Sequence, residues 1–293
     1  MEQEIYTVLK KSLIDLGIEK GDIVLLKGDL SEIGMVSTNP KSSLALVFQV
    51  LWDVLGGESE GTIITSSFTD TFFKWKMTNF VFDEKAPSRS GGAFAKYFLS
   101  HPNAVRSKHP SNSFVAIGKR AQDLVKDHNE NSRQYDPVGK VIELNGKALT
   151  LGAVVQPPDF MTGHYAQQQA GYTTTSILSF LTAVRYKKGN EIKVFKVREI
   201  GGCSRGHYKV YARYVTSKKL KTAFFGSAYS ISMPAQDAFE ISYEMQKANP
   251  RSFLCDDPNC FSCRGSWFWN MRDWPIYYLR NGFRHVKKII NAR

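Results

Sequence analysis

Histidine is the side chain best suited to exchange a proton near neutral pH, and the chain carries six. One of them, His164, stands in the stretch from Leu149 to Gln169, LTLGAVVQPPDFMTGHYAQQQ. An apolar run, Ala148 to Leu151, reads as a buried strand that stops at Gly152. A proline-bearing loop follows, and Thr162-Gly163-His164 opens a short helix. A histidine just past the end of a central strand faces the crevice where open α/β sheets hold their ligands. It could act there as a general base on an attacking nucleophile. Spacing alone fits equally a histidine that only hydrogen-bonds at a strand end. His109, in RSKHPSNSFVAIG, is a second candidate, with packing and chemistry evenly weighed. His101, His128, His207 and His285 read as surface or hydrogen-bonded residues.

Four cysteines are the other residues that could do chemistry. Cys255-x4-Cys260-x2-Cys263 together with Cys203 offers enough thiolates for zinc. The spacing is loose and Cys203 is distant, so free thiols are the preferred reading and no metal is expected. No cysteine forms an evident pair with a histidine, which argues against a thiol nucleophile.

The elements that must position these residues follow from periodicity. Ile5, Val8, Leu9, Leu13 and Leu16 recur at helical spacing over residues 3–16. Ile23 to Leu26 is a buried strand, followed by the loop from Lys27 to Gly34. A helix over residues 40–55 has Asn39 as N-cap, Pro40 at its first position and Gly56-Gly57 at its end. A strand–loop–helix start of this kind can hold phosphate on free backbone N–H groups, although an ordinary βα turn has the same pattern. Gly61 to Ser66 and Ser113 to Ile117 are further strands, 91–99 and 121–126 helices, and 68–90 a long loop. Asp136-Pro137 begins a turn. Beyond residue 170, 184–200 alternates like a hairpin with Gly189-Asn190 at its turn. TAFFGSAYSISM is one more strand, and Ala235 to Lys247 a helix. The expected fold is a single α/β domain: a central mixed sheet flanked by helices, with a β-rich C-terminal third sharing that sheet.

Composition narrows the class. A hydrophobic fraction of 42% in 293 residues supports a substantial core, and no apolar run is long enough for a membrane span. The N-terminus lacks a signal-peptide pattern, and few cysteines fit a reducing compartment; the expected location is the cytoplasm. A net charge of +12 favours an anionic partner. Its basic residues are scattered rather than striped and no nucleic-acid motif appears, so a basic nucleic-acid binder is only an alternative.

The segments GDIVLLKGDLSEIG, EGTIITSSFT, GAFAKYF, AVRSKHPSNSFVAIG, NGKALTLG and TGHYAQ occur in this order. Together they resemble the aminoglycoside 3-N-acetyltransferase, or antibiotic N-acetyltransferase, family over roughly residues 3–235. The resemblance implies an α/β fold, an acyl-CoA donor and a sugar amine as acceptor. It places Asp29, Leu30, Ser31, Ile33 and Gly34 against the coenzyme, and Ser111 and Ser113 with His109 near the cleft. His164 matches the family's catalytic histidine. Two positions depart from the family pattern: Gln167 stands where an acid is usual, and Lys27-Gly28 replaces a histidine–serine pair.

The chemistry expected is direct acyl transfer with His164 as general base. A backbone N–H between Ser31 and Gly34, or the Ser111 hydroxyl, would steady the oxyanion. Polycationic aminoglycosides call for an acidic site, whereas this chain is basic and lacks the acid at 167. The acceptor expected is therefore an amino sugar carried on a nucleotide diphosphate, in surface polysaccharide synthesis, with an aminoglycoside as the alternative. Residues 1–265 are expected to form the transferase domain. Residues 266–293, with three tryptophans and six Lys/Arg against one Asp, form a basic aromatic tail packed on it. A homodimer is left open.

Overall fold

The structure is a computed structural model that describes residues 2–153 and 158–291. Part of the proline-bearing loop before His164, residues 154–157, lies outside the described residues.

Eleven strands are described: β1 Ile23–Gly28, β2 Thr62–Ser66, β3 Phe72–Phe73, β4 Val81–Phe82, β5 Val105–Arg106, β6 Phe114–Gly118, β7 Lys147–Ala153, β8 Thr182–Lys188, β9 Glu191–Lys196, β10 Lys221–Phe225 and β11 Ala228–Pro234. Seven form the central sheet in the order β10-β11-β7-β1-β2-β6-β5. The middle three run parallel: Leu25 pairs with Ile64 on one side and with Ala148 on the other. Strands β11 and β6 flank them antiparallel.

The central strands carry apolar stretches such as Val24-Leu25-Leu26 and Ile63-Ile64 that are buried on both sides, because both faces of the sheet are covered. Successive side chains alternate faces. Val24 and Leu26 join one core with Leu13, Phe48, Leu51 and Phe94. Leu25 joins the other with Val138, Val141, Tyr214 and Ala238. On the first face Phe48 stacks on Tyr97 at 4.0 Å and meets Phe94 edge-on at 5.5 Å. Each such pair adds about 1 kcal/mol beyond area burial. They fasten helix Pro40–Leu55 to helix Gly92–Ser100, two helices that begin at the same end of the sheet.

Several local expectations hold. Asn39 Oδ1 accepts from the Ser42 N–H, and Gly56 closes the helix at φ +82°. The Gly189-Asn190 turn joins β8 to β9. Others are corrected. Asp136-Pro137 starts a helix, Asp136–Glu143, since proline at the first positions suits a helix as well as a turn. The single strand expected near residue 228 is a hairpin, β10–β11, with Gly226 turning at φ +62°. The hairpin β8–β9 does not share the main sheet. It forms a second, four-stranded sheet with β3 and β4 from the expected long loop. Phe82, Val184, Tyr186 and Phe195 give that sheet its own small core.

Helix Trp274–Asn291 follows a 3-10 segment at residues 268–273. Tyr278 Oη donates to Gly265 O at 2.9 Å. Trp267, within the expected tail, is 3% exposed and bridges to Ser176, so the start of that segment is part of the body of the fold. Among the described residues no helix is long and apolar enough to cross a membrane.

Candidate active site

The three parallel strands deliver their C-terminal ends to one cavity of about 650 Å³. From β1 come Lys27 and Gly28, from β2 Thr65 and Ser66, and from the chain beyond β7 Asp159 and His164. Such crevices are where open α/β sheets bind ligands. Gly28 is required at its position: a Cβ there would lie 2.2 Å from the Phe94 ring.

Two helices begin at the cavity rim. Pro40 and Ser43 of the first and Gly91, Gly92 and Ala93 of the second line it. Gly91 caps the second helix without any side-chain bond, at φ +73°. The first-turn N–H groups of that helix lack intrahelical partners, and its dipole adds positive potential. Between β1 and the helices lies the loop at residues 29–34. Asp29 caps the short helix Leu30–Ile33, its Oδ1 accepting from the Ser31 N–H at 2.9 Å and from Ser31 Oγ.

His164 lies in helix Thr162–Gln169. Its ring stacks on Tyr135 at 5.2 Å and meets the His207 ring at 4.3 Å. Its Nδ1 is 2.9 Å from Gly201 O and 3.1 Å from Gln167 Oε1. A carbonyl oxygen only accepts, so Nδ1 carries the hydrogen. Nε2 then keeps its lone pair, on a residue that lines the cavity. Burial lowers the His164 pKa below the ordinary value, while Gln167 and the Asp159 charge oppose the shift and Lys27 adds to it. The neutral base form is thereby favoured at pH 7.

Three residues that complete this arrangement were not singled out from sequence. Asp159 is 5% exposed and ion-paired with Lys27 across 132 positions in the chain. His207, expected at the surface or hydrogen-bonded, is 1% exposed, with its Nδ1 3.9 Å from Asp159 Oδ2. Its pKa is driven well below the usual range by burial and then by His164. Gly163 makes room for it, since a Cβ there would lie 2.6 Å from His207 Nδ1. An aspartate close to a helix carrying a histidine was the only local signal.

Of the residues expected against the coenzyme, Asp29, Leu30, Ser31 and Gly34 line the cavity. Ile33 does not: it is fully buried in the core. His109, Ser111 and Ser113 are also corrected. His109 is 1% exposed, stacks on His128 at 4.7 Å and accepts from the Asn112 N–H at 3.0 Å. Ser113 Oγ donates to Ser67 O and takes a bond from Arg106 Nε. Ser111 is enclosed, its hydroxyl without a partner among the described residues. The polar character of this segment serves a buried clamp on the loop after β2. Of the oxyanion donors expected, the Ser31 N–H is engaged with Asp29 and the Gly34 N–H with Leu30 O, and the unpartnered Ser111 hydroxyl is not among the residues lining the cavity.

Comparison with known proteins gives the family and the fold. The model of the family described as aminoglycoside 3-N-acetyltransferase matches residues 25–247. The chain belongs to that family. It is 28% identical over 181 residues to aminoglycoside N(3)-acetyltransferase VII of Streptomyces paromomycinus, covering 56% of this chain. The match spans 60% of that protein's length. Among solved structures it is similar to aminoglycoside acetyltransferase AAC(3)-IVa, as a histidine-to-alanine mutant in complex with a gentamicin. That superposition has a TM-score of 0.69 at 19% identity, covering 87% of this chain and 93% of the other. AAC-IIIb with CoASH gives 0.66 at 20% identity, covering 83% and 96%. At such identities the likeness is one of fold.

These matches overturn the expected nucleotide-linked amino sugar and its place in surface polysaccharide synthesis. The family and the relatives named are aminoglycoside acetyltransferases. The error has a physical source. Net charge is a property of the whole surface, whereas the cavity lining holds two carboxylates, Asp29 and Asp159, against one ammonium, Lys27.

Proposed function

We propose that this chain transfers an acetyl group from acetyl-CoA to an amine of an aminoglycoside, by direct attack with His164 as general base. The observation that carries this reading is the His164 tautomer. Gly201 O holds the hydrogen on Nδ1, so Nε2 is the basic nitrogen at a cavity formed by three strand ends.

The coenzyme would lie along Asp29, Leu30, Ser31 and Gly34 and the two helix starts, where the helix dipoles favour its phosphates. The aminoglycoside would enter beside Asp29 and Asp159, whose charge suits a polycation. The amine nitrogen attacks the thioester carbonyl carbon, and Nε2 takes the proton that nitrogen loses. The tetrahedral intermediate collapses, the C–S bond breaks, and the coenzyme leaves as a thiolate. The imidazolium then returns its proton to the thiolate or to solvent. While charged, the ring is held by Gln167 Oε1, Gly201 O and the field of Asp159. Gln167 is thus a positioning residue, not an acid. Residues 1–265 would carry the reaction, with the remainder bracing them.

The test is incubation of the purified protein with acetyl-CoA and gentamicin, following thiol release and product mass. The reading expects stoichiometric free thiol and a product heavier by one acetyl group. No transfer at saturating concentrations of both would overturn it.

A further inference from the structure

The four cysteines, for which the loose spacing favoured free thiols over a zinc site, converge. The sulfurs of Cys203, Cys255, Cys260 and Cys263 all lie within 4.8 Å of one another. They are free thiols, and three of them are buried. The fold brings Cys203 across by packing the 3-10 segment Ser204–Val210 against Pro250–Phe253. Gly206 permits the approach: a Cβ there would lie 2.1 Å from Phe253 O. Gly202 fits against the Trp267 indole, 2.6 Å from where its Cβ would be.

We propose that Cys203, Cys255, Cys260 and Cys263 bind one structural zinc ion. Four thiolates about 2.3 Å from a central zinc form a tetrahedron with edges of about 3.8 Å. The observed sulfur spacing reaches that geometry by closing in by no more than about 1 Å. With all four positions filled by protein, the site is of the structural rather than the catalytic kind. Cys260-x2-Cys263 supplies one short ligand pair. The Cys255 N–H donates to Cys263 Sγ at 3.3 Å, a contact that steadies a thiolate. The Arg205 guanidinium interacts with both Cys203 and Cys260, where it offsets the double negative charge of a tetrathiolate zinc. On binding, each thiol gives up its proton to solvent.

The site ties the chain near His164 to the C-terminal segment. Cys203 is two residues from Gly201, whose carbonyl fixes the His164 tautomer, and next to Ser204, which lines the cavity. The metal would therefore hold one wall of the active site without touching substrate.

The experiment is elemental analysis and thiol titration of the purified full chain under reducing conditions. The proposal expects one zinc per chain, and four thiols that react with a chromogenic disulfide only after chelator and heat. Cobalt exchanged for zinc should give the intense thiolate-to-metal absorption of a tetrathiolate site. The paired variant Cys260→Ser/Cys263→Ser should retain no metal. Should that variant not fold, wild-type chain treated with an organomercurial and chelator should release zinc and melt at a lower temperature. Metal-free native protein with four reactive thiols, or a mass showing two disulfides, would overturn the proposal. Acetyl transfer from a metal-free enzyme would leave the proposed activity standing, so the two readings fail separately.

Discussion

At the scale of single residues, the site shows how a neutral amide can orient the histidine at a position where the family resemblance implied an acid. Gln167 Oε1 accepts from His164 Nδ1 at 3.1 Å, so the ring's orientation survives the substitution. What is lost is the carboxylate's stabilisation of the imidazolium. Burial then dominates, and the His164 pKa lies below its ordinary value. Replacing Gln167 with Glu should reverse the balance, because an opposite charge within hydrogen-bond distance raises a histidine pKa by about 1 unit or more. The acid limb of kcat/KM, where the base becomes protonated, should move to higher pH by that amount. A limb that stays in place would show that position 167 does not communicate with the base. Lys27 is the other departure. It pairs with Asp159, a partner no local motif could reveal.

At the scale of elements, the segment at residues 106–118 is the most instructive. Its serines and histidine are polar, closely spaced and followed by a strand, a pattern that reads as a cleft. In the fold they form a buried clamp. Arg106 reaches Ser67 O at 2.6 Å and Ser113 Oγ at 3.0 Å, and His109 packs between His128 and Phe195. Burial pushes His109 down to about 3, and it lowers His128 as well. The consequence for stability has a definite sign. At pH 5 the unfolded chain protonates His109 and the folded chain does not, so stability falls as pH falls. The contribution is complete above about pH 6.5 and is lost on descent toward about 3. Between pH 7.5 and pH 5, His109 alone should cost about 2 kcal/mol. Urea midpoints at pH 7.5 and pH 5 measure this, with His109→Gln expected to flatten the slope. Equal midpoints for the wild type would contradict the buried neutral state.

At the scale of the whole molecule, what could be read in sequence was what local periodicity encodes. Helix Pro40–Leu55 announces itself through Asn39, Pro40 and Gly56, β1 through the apolar run Ile23–Leu26, and β2 through a short β-branched stretch after Gly61. The relation of Lys27 to Asp159, of His164 to His207, and of Cys203 to Cys260 arises only when distant strand ends and loops meet. The short strands Phe72–Phe73 and Val81–Phe82 were hidden for a related reason. Two residues carry no period, and their pairing with β8 brings together residues far apart in the chain, with Phe82 joining the small core of the second sheet. Whole-chain charge misled for the opposite reason: it averages over a surface whose cavity has the other balance.

The account rests on Nε2 of His164 as the base, and the direct measurement is the pH dependence of kcat/KM for aminoglycoside acetylation by wild type and by His164→Ala. The wild type should lose activity below an inflection lying under the ordinary histidine value. The variant should be slower by about 10²–10⁴-fold at neutral pH, with the histidine limb gone while its melting temperature stays near that of wild type. A well-folded His164→Ala enzyme that keeps both the wild-type rate and the wild-type limb would contradict the mechanism.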